Sequence, residues 1–135
     1  GAPHERQLIS SVFHNRLKKN MRLQTDPTII YAKALKSGKI TIDIRRADLT
    51  WSHPYNTYMF VGLPPGPISN PGLDSIKAAV NPAITDFFFF VSRNDGTHIF
   101  SETYEKHALA VRKFQLNAHA REGKSWRNLK ENKTN

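Results

Sequence analysis

Residues 54–82, PYNTYMFVGLPPGPISNPGLDSIKAAVNP, decide how the rest of the predicted fold is arranged. The first two thirds of this stretch contain too many turn formers for a helix or a strand. Its prolines fix φ and remove backbone donors, and we expect Gly62, Gly66 and Gly72 to supply positions with positive φ. Irregular connections of this length usually bind or cover something. The stretch therefore predicts either a stiff functional loop or a structural proline-rich surface loop.

The end of the same stretch predicts a helix over residues 72–80. Asn70 is a candidate cap and Pro71 suits the first turn. An apolar side of the helix is expected to pack against the rest of the domain. It consists of Ile76, Ala79 and Val80.

Toward the N-terminus, apolar periodicity predicts two more helices, over residues 5–19 and 27–36. Thr25 or Asp26 is expected to cap the second of them. Residues 36–50 contain basic side chains and a short alternation of isoleucines, which predicts a brief strand or an extended arm. The alternating residues are Ile40, Ile42 and Ile44.

Toward the C-terminus, four consecutive phenylalanines followed by Asn-Asp-Gly predict a hairpin over residues 87–100. Such a strand should be covered on both faces. A last helix is expected over residues 102–118, and a basic, frayed tail over 121–135. The sequence thus predicts an α+β fold, a single compact domain over residues 1–120 with about four helices, one hairpin and the long proline-rich and glycine-rich loop.

Composition limits the function classes. The 135 residues contain no cysteine, which removes disulfides and thiolate metal sites. The net charge of +9 comes from the ends, because residues 51–110 contain three cations and five carboxylates. A nucleic-acid footprint normally runs through a binding face beside a recognisable motif. We therefore expect no nucleic-acid partner, and the histidines show no metal-binding spacing.

Seven short motifs, taken together and in this order, resemble the catalytic domain of the YceG-like endolytic murein transglycosylases. They are VFHNRL, MRLQTDPTIIY, RADL, PYNTY, GLPPGPISNPG, SIKAAVNP and GTHIFSETYEKH, and they span about residues 1–115. The resemblance implies an enzyme of the bacterial cell envelope. It also implies an N-terminal anchor in the inner membrane, a LysM-like part and a periplasmic catalytic domain, with the first two expected outside the given sequence.

The resemblance further implies a lyase that needs no cofactor and cuts nascent peptidoglycan strands internally. The bond between N-acetylmuramic acid (MurNAc) and N-acetylglucosamine (GlcNAc) is broken, which leaves a 1,6-anhydro-MurNAc end. Glycan strands are the expected partners, and the cell-wall synthesis machinery is a further expected one. Contact with the membrane is expected only through the anchor.

The family's catalytic glutamate falls just upstream of the position of Gly1, so no catalytic residue is expected in this chain, which should be inactive alone. Residues at matching motif positions are expected to bind the sugar: Gln24, Asp26, Tyr55, Asn56, Tyr58 and Asn15. For the trio of Gln24, Thr25 and Asp26, ligand binding and helix capping remain equal alternatives. Asn15 could line a cleft or fix a neighbouring loop, and Arg16 is expected to have a structural role.

Other interpretations remain open. His98 and His107 lie at motif positions and could orient the site or be structural. An older label for the family, aminodeoxychorismate lyase, would require a pyridoxal phosphate lysine. A glycan-binding or nucleic-acid-binding module without catalysis is the third alternative.

Overall fold

The computed structural model describes residues 3–116, and the expected tail at 121–135 lies outside the described residues. A single 3-10 turn, Pro3–Glu5, leads into five α-helices and one hairpin. They are α1 (Arg6–Lys18), α2 (Asp26–Ser37), α3 (Arg46–Leu49), α4 (Leu73–Val80), β1 (Phe89–Ser92), β2 (His98–Ser101) and α5 (Tyr104–Val111), after which a π turn covers Arg112–Leu116. The predicted α+β class is confirmed.

The chain forms two compact units that are not consecutive in sequence. The first unit combines the residues up to Asn15 with those from Pro71 onward, and the second unit is Arg16–Asn70. The second unit is thus an insertion between two parts of the first.

In the first unit, the hairpin β1–β2 is antiparallel, with Phe90 opposite Phe100 and Val91 opposite Ile99. The predicted turn chemistry is present, because Asn94 and Gly96 have φ values of 72° and 90°. The Asp95 carboxylate accepts hydrogen bonds from the side chain and the backbone of Thr97, and these bonds lower the pKa of Asp95. This network closes the turn.

Helices lie against different phenylalanines of β1. The Phe13 ring of α1 meets Phe90 edge-on, with centroids 5.9 Å apart, and the His107 ring of α5 stacks on Phe89 at 5.0 Å. Adjacent residues of a strand point to opposite faces, so both faces are partly covered. The phenylalanines of the run remain half-buried, and Val91 is the buried residue of β1.

The polar side chains of α1 bind the segment that precedes β1. Gln7 Nε2 donates to the carbonyl of Asn81 over 3.1 Å, and the hydroxyls of Ser11 and Thr85 lie 2.7 Å apart. His14 Nε2 lies 2.7 Å from the carbonyl of Ala79. These bonds join parts of the first unit that are far apart in sequence.

The prediction of which side of α4 is buried is wrong. Ala78 is the buried residue of this helix, whereas Ile76, Ala79 and Val80 are exposed in the described structure. The N-cap is Gly72 rather than Asn70, and its residue type offers no side chain to accept a bond. Because α4 is short, its few apolar residues allow more than one orientation, and periodicity alone selected the wrong one.

Helix α5 is only partly buried. Ala110 is buried, Ala108 and Val111 are half-buried, and Tyr104 is exposed. Thr103 is the N-cap, and its hydroxyl accepts a bond from the backbone of Lys106. The helix is α-helical only to Val111, short of the predicted bound at 118, which itself lies outside the described residues.

The second unit packs α2 against its own long loop. Ile29 and Ala32 of α2 are fully buried, together with Leu23 before the helix and Ile44 after it. Residues 38–45 form neither a helix nor a strand, so the predicted brief strand is absent there. The RADL motif forms the short helix α3.

The long loop is irregular from residue 50 to residue 72, as predicted. Of its glycines, Gly62 has a positive φ of 97°, whereas Gly66 and Gly72 do not. A Cβ at Gly66 would lie 3.1 Å from the Tyr55 hydroxyl. Gly66 is therefore explained by a close approach of a side chain rather than by backbone conformation.

Candidate functional site

Five of the six predicted sugar-binding residues belong to the second unit, and the sixth, Asn15, belongs to the first. The five lie on two segments, the turn between α1 and α2 and the PYNTY part of the long loop. Hydrogen bonds join these two segments directly. The backbone amide of Gln24 donates to the carbonyl of Thr57 over 3.2 Å.

The turn before α2 is held by Arg16. Its guanidinium donates to the carbonyls of Arg22 and Leu23, at 3.2 Å and 2.9 Å, and the side chain is buried. The structural role predicted for Arg16 is confirmed by these bonds. They fix the backbone immediately before Gln24, which has a φ of 52° and an exposed side chain. A left-handed backbone at a residue other than glycine, asparagine or aspartate is uncommon and indicates a position fixed by its surroundings.

Next to this turn, the hydroxyl groups of three threonines form a cluster. The hydroxyls of Thr28 and Thr57 lie 2.8 Å apart, and Thr28 donates to the carbonyl of Thr25 over 2.8 Å. Thr57 Oγ1 also accepts from the backbone amide of Thr25 at 3.0 Å. Thr25 is the N-cap of α2, but its side chain makes no capping bond to the helix backbone. The cluster instead joins the start of α2 to the long loop.

Asp26, the first residue of α2, accepts a hydrogen bond from Tyr58. The phenolic hydroxyl lies 2.6 Å from Asp26 Oδ1. A hydrogen bond this short between a phenol and a carboxylate holds the two side chains together. Both side chains are half-buried, so this pair is accessible to a ligand at the surface.

Asn56 has a different environment, because its side chain is fully buried. Its amide nitrogen donates to the carbonyls of Asp48 and Trp51, at 3.0 Å and 2.7 Å, and its Oδ1 accepts from the backbone of Tyr58 at 3.0 Å. These bonds fix the backbone that presents Tyr55 and Tyr58. Asn56 therefore positions its neighbours.

Tyr55 belongs to an aromatic row that runs through Tyr31, Tyr55, His53 and Trp51. The ring centroids are 4.9 Å apart for Tyr31 and Tyr55, 6.1 Å for Tyr55 and His53, and 4.7 Å for His53 and Trp51. The Lys36 ammonium lies 5.5 Å from the Trp51 centroid. All four rings are half-buried, so edges or faces remain open to solvent.

A shallow depression lies beside the turn that contains Gln24. It has a volume of about 370 Å³ and opens widely to solvent. It is lined by Asn20, Met21, Arg22, Gln24 and Val61. Amide, guanidinium and thioether groups around an open depression suit a hydroxylated ligand that binds without being enclosed.

In the first unit, Asn15 fixes the segment before β1. Its amide nitrogen donates to the carbonyls of Thr85 and Phe87, each at 2.9 Å. Of the two roles left open for Asn15, the structure thus provides contacts for the second. A sugar-binding role stays a prediction.

Glu5 and His98 form a polar pair in the first unit. Glu5 Oε1 lies 3.0 Å from His98 Nδ1, and Oε2 accepts from the His98 backbone amide at 3.1 Å. Burial raises the pKa of Glu5, but the hydrogen bonds from His98 and its charge outweigh burial, so the pKa lies below its ordinary value. The structural alternative for His98 is therefore supported by a specific partner.

Sequence reasoning missed Thr28, Thr57, Trp51 and His53 as parts of the candidate site. Thr28 and Thr57 are 29 residues apart, so no local pattern connects them. His53 showed no motif spacing, although its position two residues from both Trp51 and Tyr55 could have indicated a row of rings on an extended segment. Among the described residues, no group of three metal-binding side chains is present.

The second unit combines an exposed amide on a fixed turn with a half-buried carboxylate, a half-buried phenol and a row of half-buried rings. This combination is typical of a carbohydrate-binding surface, where polar groups bind hydroxyls and rings contact the apolar faces of sugars. Residues 1–113 match the YceG-like family, and the chain belongs to it.

Two curated relatives are similar over most of the chain. One, from Bacillus subtilis, is named endolytic murein transglycosylase and is 44% identical over 110 residues, which are 82% of this chain and 29% of that protein. Another of the same name, from Streptococcus pneumoniae, is 36% identical over 105 residues, or 76% of this chain and 19% of that protein. The chain thus spans less than a third of these relatives.

A solved structure is similar as well. A YceG-like protein from Listeria monocytogenes superposes with a TM-score of 0.67 at 46% identity. The match covers 76% of this chain and 32% of that protein. Within residues 3–116, no helix has the length and apolar character needed to cross a bilayer.

Proposed function

We propose that this chain is part of an endolytic murein transglycosylase, a lyase that cuts peptidoglycan strands internally. The observation that supports it most is the 44% identity over 110 residues to a Bacillus subtilis protein with that name. The cut bond would join MurNAc to GlcNAc, and the product would end in 1,6-anhydro-MurNAc. An envelope location fits this substrate, and an inner-membrane anchor with a periplasmic catalytic domain is part of the proposal.

The reaction requires one carboxyl group in two protonation states. As an acid it protonates the glycosidic oxygen, and as a carboxylate it then accepts the proton from the C6 hydroxyl of MurNAc. That hydroxyl closes on C1, so no water attacks and a second carboxylate is not obligatory. The rest of the site holds the ring and stabilises positive charge at C1.

One carboxylate with a prominent environment in the described structure is unsuited to the acid role. Glu5 is buried against His98, and its pKa is lowered, whereas a general acid needs a raised one. Asp26 already accepts the short bond from Tyr58 at the start of α2. In line with the family resemblance, the proposed acid is a glutamate of a segment that precedes Gly1.

We assign the sugar-binding roles by exposure. Gln24 presents its amide to a hydroxyl or acetamido group beside the depression, and Asp26 with Tyr58 binds a second hydroxyl or faces the charge at C1. Tyr55 offers its ring edge. Asn56 and Asn15 act through the segments that their amides fix.

The experiment compares the 135-residue chain with a longer form that extends upstream of Gly1. Each is incubated with purified sacculi, and released muropeptides are quantified by mass spectrometry. The expected result is anhydro-muropeptides from the longer form and none from the 135-residue chain. Anhydro products from the shorter chain would place the acid within residues 1–135, and reducing-end products from the longer form would overturn the lyase reaction.

A further inference from the structure

The segment between α2 and α3, together with the helix ends that flank it, exposes apolar and basic side chains. We define residues 36–46, KSGKITIDIRR, as the basic arm. Ile40 and Ile42 are 82% and 83% exposed, which is unusual for two large aliphatic side chains so close in sequence. Lys36 lies over the Trp51 ring of the candidate site, but the two isoleucines take no part in the glycan contacts proposed above and require a separate explanation.

The ends of the basic arm are fixed. At its start, Gly38 adopts a φ of 75° and closes α2, while the Ser37 hydroxyl donates to the carbonyls of Lys33 and Lys39. At its end, Ile44 is only 5% exposed and packs into the core of the second unit. The exposed isoleucines therefore lie between two fixed points.

Polar contacts of Lys33 also fix the end of the basic arm. Lys33 Nζ donates to the carbonyl of Asp43 over 2.7 Å and pairs with Asp48 at 2.9 Å. Asp48 also accepts a hydrogen bond of 2.8 Å from the backbone amide of Arg45, at the start of α3. Exposure of Ile40 and Ile42 is thus a property of the folded unit rather than of a frayed end.

The arm is strongly basic. Four cations, Lys36, Lys39, Arg45 and Arg46, stand against the single carboxylate of Asp43, a net charge of +3. All four are exposed, and Asp43 lies 3.6 Å from Arg45. Apolar side chains flanked by cations are the composition of segments that bind the interface of anionic membranes.

We propose that the basic arm docks on an anionic lipid bilayer. Ile40 and Ile42 enter the boundary between headgroups and acyl chains, while the cations contact lipid phosphates. Charge complementarity selects this occupant: a second copy of the arm would bring +3 against +3, and an anionic glycan or nucleic acid would leave the isoleucines in water. The sequence alone predicted membrane contact only through an anchor outside this chain.

The expected effects follow from known magnitudes. Each cation close to an anionic surface raises binding by about fivefold, and each aliphatic side chain that enters the interface raises it by about tenfold. Removing both isoleucines should therefore reduce vesicle binding by at least about tenfold even if insertion is shallow.

The test is co-sedimentation of the 135-residue chain with unilamellar vesicles of phosphatidylcholine containing phosphatidylglycerol, compared with phosphatidylcholine alone. The apolar variant is Ile40→Ser with Ile42→Ser, and its matched control is Leu73→Ser with Val80→Ser, two exposed aliphatic residues of α4. The charge variant is Lys39→Gln with Arg46→Gln, and its control is Lys18→Gln with Lys19→Gln, two exposed lysines at the end of α1. Circular dichroism checks that all four variants fold.

The expected result is binding to the anionic vesicles that falls at least about tenfold in both arm variants and less than about threefold in both controls. Equal losses in the charge variant and its control would show adsorption by net charge alone and overturn the proposal. So would unchanged binding of the isoleucine variant. Sedimentation without vesicles is a further check: a dimer that disappears in the isoleucine variant would assign the arm to a second copy instead.

Discussion

The two carboxylate oxygens of Glu5 bind the ring and the backbone amide of the same residue, His98, at 3.0 Å and 3.1 Å. This contact joins the turn before α1 to the first residue of β2 across 93 positions of sequence. Because Glu5 is buried, the bond is shielded from solvent. It therefore should contribute to stability, and its contribution should depend on pH.

Glu5→Gln should lower the free energy of unfolding by about 1–3 kcal/mol near neutral pH, because an amide offers one acceptor where two donors converge. The pKa of Glu5 is lowered in the folded state, so its contribution is present above the ordinary glutamate pKa and is lost as pH falls through the folded value. Urea unfolding of both proteins at several pH values should show the difference shrinking below about pH 4.5. Glu102→Gln, at an exposed position, is the control and should have little effect at any pH. A difference that stays constant down to pH 3 would contradict the assignment.

Thr57→Val should destabilise the second unit by about 1–3 kcal/mol, because it leaves the backbone amide of Thr25 without its acceptor and removes the hydrogen bond between the Thr57 and Thr28 hydroxyls. Thr28→Val should have a similar effect. The double variant should cost less than the sum, since the two hydroxyls bind each other. A double-mutant cycle by chemical denaturation measures this coupling, and strict additivity would show that the 2.8 Å contact is energetically unimportant.

Asn56→Asp and Gln24→Asn should separate positioning from binding. The first change turns two donated bonds into repulsion between oxygens in a buried site, which should cost about 3 kcal/mol or more. The second keeps an amide at an exposed left-handed position, which asparagine tolerates well, and should leave stability nearly unchanged. In the longer, active form, Gln24→Asn should raise KM or lower kcat at full folding. Normal stability of Asn56→Asp would refute the positioning role.

Gly62→Ala and Gly72→Ala form a matched pair in the long loop, since a Cβ meets no neighbouring atom within 4 Å at either position. Gly62 has a φ of 97°, so alanine there should cost about 1–2 kcal/mol from backbone strain alone. Gly72 has a φ of −73°, so alanine there should change stability by less than about 0.5 kcal/mol. Thermal unfolding compares the two. Similar losses would show that strain at Gly62 is not the cause.

Helices α1 and α2 and the hairpin were predictable because their signals are local. Apolar periodicity placed α1 and α2 to within a residue or two, and Asn-Asp-Gly identified the hairpin turn. The exposed side of α4 was not predictable, because in a helix this short tertiary packing decides which few residues are buried. Gly66 was misinterpreted for a related reason, since the close approach of the Tyr55 hydroxyl is visible only in three dimensions.

The candidate site, like the fold, was only partly predictable from the sequence. Motif positions identified Gln24, Asp26 and Tyr58, whose side chains reach the surface, but the motif gave no indication that Asn56 is fully buried. Two of the contacts that fix the site connect residues 29 and 32 positions apart, Thr28 with Thr57 and Asp26 with Tyr58. Side-chain pairing at such separations leaves no periodic pattern in a single sequence.

The insertion of the second unit into the first imposes an order on folding during synthesis. Asn15 of α1 binds the carbonyl of Thr85, 70 residues later. At a typical rate of synthesis, α1 therefore leaves the ribosome roughly 4–14 s before the residues that its side chains bind. The second unit, which is continuous from Arg16 to Asn70, has all its residues during that interval and is free to close first. Once the second unit has folded, a shorter effective loop joins the two parts of the first unit. Less conformational entropy is then lost when these parts meet.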